Sequence, residues 1–262
     1  MNIINEDYLV ESIIGQSRHQ FIYGNDEIVR TRIIEKLVQT NPIISDENIP
    51  VAIHIKDLFL PTTPEKKNND IRSKHLNEEF FTYSVIYDII QELKKQDIDK
   101  QRMTRLFDII SRFFINKKDL KINSIDDLIT ITSESKDYYK EAYNYYLNTG
   151  NDLISKDVLL SYFKLDLFIN ELKSLLNNNS YIGLIFDNKD DITKETKKII
   201  NSLVGRRINK DISVKVMTAP EKWDTYLTQS NNIIEEIHDY GVVELDESYK
   251  KYTKSLKNER KC

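Results

Sequence analysis

Cysteine occurs once in the 262 residues, at Cys262. A single thiol closes no internal disulfide and supplies no cysteine-based zinc site, so a reducing, cytoplasmic setting is the expectation. Histidine is almost as scarce: His19, His54, His75 and His238 show no pairing at metal-ligand spacing. No G-x-S-x-G elbow marks a hydrolase nucleophile. No apolar run approaches the roughly 20 residues needed to span a bilayer. The first residues, Met1 to Asp7, lack a basic segment followed by an apolar one, so no signal peptide is expected. Glycine (6) and proline (5) are few, while 40% hydrophobic and 31% charged residues describe a soluble globular chain rather than a disordered or membrane-embedded one. There is also no excess of positive charge. A net charge of −4 argues against a strongly basic nucleic-acid binder.

Five short apolar segments predict strands. They are Gln20–Tyr23, Val51–Lys56, a run from Tyr181 ending at Asp187, Ile212–Met217, and a segment within Asp239–Leu245. The third is apolar throughout until its terminal acid, as a strand buried on both faces would be. Helical spacing fills the intervals. Asn5–Ile14 opens the chain. Asn25 is the expected N-cap of the helix after Gly24, with Asp26 and Glu27 in its first turn. Pro61–Asp70 is a polar, lysine-rich loop. Residues 76–177 read as helices throughout, with a capping box at Ser124 and a tyrosine-rich segment over Lys136–Leu147 that is better suited to packing than to base stacking. Ile192–Val204 is a further helix. Lys222–Leu227, Asn231–Ile237 and Asp246–Lys257 are expected as short ones. The resulting expectation is an α/β domain over residues 1–262. Its five-stranded, mostly parallel sheet comes from 1–75 and 178–262, and an all-helical insertion, 76–177, separates strands two and three.

The order strand–glycine–helix, strand, apolar strand ending in Asp, helix, strand resembles the AAA+-type P-loop ATPases, and within them bacterial ORC-type and STAND-like members. The resemblance covers Arg18–Leu245. It places Walker A at Gly24-Asn-Asp-Glu-Ile-Val-Arg-Thr31 and Walker B at Tyr181–Asn188. Thr218 falls at the sensor 1 position, and Arg206 or Arg207 at the position of a finger-type arginine. By the resemblance, a bound Mg-ATP would be held by Gly24, Arg30 and Thr31, with Thr31 and Asp187 on the metal.

Departures from that pattern set the functional expectation. A working phosphate loop reads G-x-x-x-x-G-K-[ST]. Here Val29 replaces the second glycine and resists the backbone angles that wrap a phosphate. Arg30 replaces the lysine with a planar fork instead of a point charge. Asp26 and Glu27 bring two carboxylates to a helix N-terminus that otherwise attracts anions. Asn188 stands where the family places a water-orienting glutamate, and an amide is no base at neutral pH. After Leu245 only one further helix is expected, which leaves the family's helical lid unaccounted for. An ion pair between Arg30 and Asp187 would stand in for the metal–phosphate bridge.

The leading expectation is therefore a degenerate ATPase-fold protein without hydrolysis and without a bound cofactor. It would serve as an interaction or regulatory module for a protein partner or a second copy of itself. The resemblance implies a bacterial defence or DNA-transaction complex. Two alternatives stand beside it. One is an ATP- and Mg²⁺-dependent switch or ATPase completed by a partner subunit. The other is a DNA-binding component using the basic C-terminal residues Lys250, Lys251, Lys254, Lys257, Arg260 and Lys261. Asp187, Asp190 and Asp191 form an acidic group that would hold Mg²⁺ only with further acids converging in space. His238-Asp239 lacks a nearby nucleophile signature and is discounted as an acid–base pair.

Overall fold

The computed structural model describes residues 6–42, 49–56, 58, 70–96, 98–113, 122–153, 163–176, 180–188, 192–205 and 211–245. The chain runs α1 (Glu6–Ile14), β1 (Gln20–Tyr23), α2 (Glu27–Thr40), β2 (Val51–Ile55), α3 (Ile71–Lys94), α4 (Lys100–Phe113), α5 (Ile125–Thr149), α6 (Phe163–Leu176), β3 (Ile182–Asp187), α7 (Lys194–Val204), β4 (Ile212–Thr218) and β5 (Gly241–Glu244). The five strands form one sheet in the order β2-β3-β4-β1-β5. Every pairing is parallel. No helix among the described residues is long and apolar enough to cross a membrane.

Strand alternation sorts side chains onto two faces. Phe21, Ile53, Leu184, Phe186, Val214 and Val216 point to the larger core, which is covered by helices from α3 to α7. Ile22, Ala52, Ile185 and Met217 point the other way, against Ile13 of α1 and Ile33, Ile34 and Leu37 of α2. Both faces are thus buried, as the continuous apolar strands require. Among the described residues, four helices, α3 to α6, lie between β2 and β3. Helices α3 and α5 are tied at both ends, by Arg72–Asp152 at 2.5 Å and Lys94–Asp126 at 2.6 Å, so they run antiparallel.

Several local expectations need correction. The N-cap of α2 is Asp26, not Asn25: its carboxylate accepts from the amides of Ile28 at 2.8 Å and Val29 at 3.2 Å. Helix α3 starts at Ile71 because Asp70 caps it, accepting from the Arg72 amide at 3.1 Å. The capping box at Ser124 forms, but it opens one helix of 25 residues rather than a short segment. Helix α7 is capped by Thr193 and begins at Lys194.

The helices expected over 222–227 and 231–237 do not form. The chain makes a single 3-10 turn at Pro220–Lys222 and then runs irregularly, with Leu227 bridging Ile233. Two of its carbonyls, Thr225 O and Leu227 O, are taken at 3.0 Å each by the Asn201 side-chain amide, which removes them from any helical ladder. Trp223, Tyr226 and Tyr240 anchor the stretch on Phe21, with ring centroids 5.4, 5.7 and 4.6 Å away. The helix expected over 246–257 lies outside the described residues.

Candidate functional site

In an open parallel sheet, ligands bind beyond the strand C-termini where the strand order reverses. Here β1 leads to β2 on one side of itself, whereas β4 leads to β5 on the other. The crevice therefore falls among the ends of β1, β3 and β4, where Tyr23 pairs with Thr218 and Asp187 pairs with Met217. Gly24, Arg30, Asp187, Asn188 and Thr218 gather here. Sequence order alone had placed them together only by resemblance.

The turn after β1 is too tight to form a cradle. Helix α2 begins at Glu27, so Arg30 already sits in its first full turn, with its amide bonded to Asp26 O at 3.1 Å. The amides of Ile28 and Val29, which an anion would need, face the Asp26 carboxylate instead. Arg30 does not reach outward. It is 3% exposed, its Nη1 donates to Gly24 O, and its Nε lies 4.0 Å from Asp187 Oδ1. The geometry follows from the pleat: Asp187 shares strand parity with Ile185, so it faces α2. The Arg30–Asp187 ion pair expected from the sequence is present. Thr31 follows in α2, half-buried.

Gly24 itself has a structural explanation. A Cβ there would stand 2.9 Å from Leu245 Cδ1 and 3.2 Å from Leu245 Cβ. Its glycine accommodates a buried leucine at the end of β5. Leu245 had no signal in the sequence beyond being apolar, and its place is decided by strand order.

Asn188 and Thr218 form the other half of the site. Asn188 is fully buried. Its Nδ2 donates to Thr218 Oγ1 at 3.1 Å and to Lys222 O at 3.2 Å, and its Oδ1 accepts from the Ile192 amide at 2.9 Å. Thr218 Oγ1 in turn donates to Ala219 O at 3.0 Å. Both polar atoms of the Asn188 side chain are thereby committed to holding the loops after β3 and β4 together. Through Ile192, Asn188 reaches the segment leading into α7. Lys197, unremarked in the sequence, braces the same loop by donating to Lys222 O at 2.6 Å and Asp224 Oδ1 at 2.9 Å.

These residues do not fit a Mg-nucleotide. The amides are capped, the cation is turned into the fold, and leucine stands over the glycine. Asp190, Asp191, Arg206, Arg207 and the basic C-terminal residues lie outside the described residues. Among the described residues no group of three or more His, Cys, Asp or Glu side chains converges as a metal site. His54 lies in β2, where burial holds its imidazole down to about 4. His238 is exposed, and the Asp239 carboxylate accepts from the Glu235 amide at 2.8 Å.

A family model described as ORC-CDC6-like matches residues 30–258. The match begins at Arg30, so the turn Gly24–Val29 precedes it. Comparison with curated proteins gives no match.

Proposed function

The chain belongs to the ORC-CDC6-like family, and from that premise we propose that it is a non-hydrolysing module of the AAA+ ATPase-like fold, working through contacts with a protein partner. The observation that carries this reading is the inward Arg30, bonded to Gly24 O and lying beside Asp187 where a phosphate-binding cation would face outward. The Asp26 carboxylate over the α2 amides supports it, because a triphosphate would meet negative charge at the helix end. Asn188 supports it as well, since a side-chain amide with both its polar atoms engaged neither orients nor deprotonates water. The setting implied by family resemblance is a bacterial defence or DNA-transaction complex, in the cytoplasm.

The experiment is a thermal-shift titration of the full chain with Mg-ATP. Ligand at 100 times its Kd stabilises a native state by about 2.7 kcal/mol. The expected result is no shift up to millimolar nucleotide; a saturable rise in Tm would overturn the reading. A second reading, an ATP-dependent switch completed by a partner subunit, is favoured by one observation: Thr218 and Asp187 occupy the strand ends that border the crevice. It requires Arg30 to leave Gly24 and Asp187, and the same titration repeated with the partner decides it.

A further inference from the structure

The structure assigns a docking role to the loop entering edge strand β5, for a protein segment that presents lysine or arginine beside an apolar side chain. This rests on the interaction reading above and names the partner's chemistry. Ile237 has φ +73°. A β-branched residue in the left-handed region is a backbone outlier, kept only where surroundings impose it. Yet its side chain is 76% exposed, and Ile233, four residues earlier, is 68% exposed. Neither isoleucine is placed where burial inside this chain offsets its exposure.

The loop carrying them is held firmly. Ile234 is buried, with its amide on Tyr226 O at 3.0 Å, and the Ile237 amide bonds Tyr240 O at 2.8 Å. The Glu235 amide bonds Asp239 Oδ2 at 2.8 Å. A rigid knuckle loses little freedom on association.

Charge selects the partner. From Trp223 to Leu245 the chain carries Asp224, Glu235, Glu236, Asp239 and Glu244 and no lysine or arginine. Asp224 is paired with Lys197, Asp239 is buried and Arg18 donates to Tyr240 O, so the charge turned to a partner is that of the exposed Glu235, Glu236 and Glu244. Glu235 and Glu236 are exposed between the two isoleucines. Such a surface repels nucleic acid and attracts a basic polypeptide.

The test uses the full chain labelled at isoleucine methyls and titrated with two synthetic probes, a Lys-Leu-Gly repeat peptide and a Glu-Leu-Gly repeat peptide of equal length. The expected result is salt-sensitive movement of the Ile233 and Ile237 signals with the basic peptide alone. Ile237→Gly, which any φ suits, should raise Tm by about 2–4 °C while weakening peptide binding about tenfold. Glu235→Gln with Glu236→Gln should weaken binding and flatten its salt dependence. Shifts scattered over other isoleucines, equal response to the acidic peptide, or unchanged affinity in Ile237→Gly would overturn the proposal. So would movement of the same two signals with duplex DNA, or with protein concentration alone. A response to Mg-ATP would refute the non-hydrolysing reading and leave this surface standing.

Discussion

At Gly24 a methyl group would press on Leu245, whose side chain is 3% exposed and belongs to the core shared by α1 and α2. A glycine at the head of a phosphate loop is ordinarily there so that backbone can approach a ligand. This one lets backbone approach a leucine. Gly24→Ala is expected to destabilise the chain by about 1–3 kcal/mol, the usual range for overpacking. Leu245→Ala in the same chain should return part of that loss, because the two side chains compete for one volume. Urea unfolding of the two single variants and the double variant measures the coupling; strictly additive losses would mean that the contact is not the cause. The same scale explains why Gly24 misleads in sequence. It stands at the motif position, and nothing in its neighbours reveals the residue 221 positions later that packs against it.

Among the elements, α5 was legible in its cap and its tyrosine-rich stretch, though not in the continuity that makes them one helix. Its buried residues Leu128, Ile131, Thr132, Ser135, Lys136, Tyr139, Ala142 and Tyr143 fall on one helical face, each having another three or four places away. Tyr139 and Tyr143 pack inward, whereas Tyr138 and Tyr145 are exposed on another side. The Ser124 side chain accepts from the Asp127 amide at 3.1 Å and the Asp127 carboxylate accepts from the Ser124 amide at 2.9 Å. Ser124→Ala should therefore cost about 1 kcal/mol of stability, readable in the same unfolding assay. The stretch after β4 was the least readable. Its spacing suits short helices, but a carbonyl engaged by Asn201 and an aromatic ring seated on Phe21 outweigh a weak local preference.

Across the whole molecule, the N-terminal ends of the strands are fastened by buried polar groups. Lys215 Nζ donates to Gln16 O at 2.7 Å, Arg18 O at 2.9 Å and Gln20 Oε1 at 2.5 Å, tying the α1–β1 connection to β4. Beside it, His19 Nδ1 accepts from the Val214 amide at 2.9 Å. Burial, then the Lys215 ammonium, holds this imidazole down to about 4 from 6.5. The unfolded chain therefore binds more protons than the folded one between those values, and stability falls as pH drops through that window. At 1.36 kcal/mol per pH unit, His19 accounts for on the order of 2 kcal/mol lost by about pH 5. His19→Asn keeps an acceptor that does not titrate. Denaturant midpoints from neutral to acid pH should fall less steeply in that variant, and an identical slope would refute the assignment.

The sequence by itself determined the strands, most helices, the double-sided burial of the sheet and the acids at the head of α2. Those features are written in local periodicity and in the chemistry of helix ends. Only the tertiary structure decided that Arg30 donates to Gly24 O, that Leu245 stands over Gly24, and that Asn188 and Thr218 lock two loops together. Each depends on which strand ends lie side by side in the order β2-β3-β4-β1-β5. That order brings together residues far apart in the chain, and no spacing along the chain encodes such a meeting.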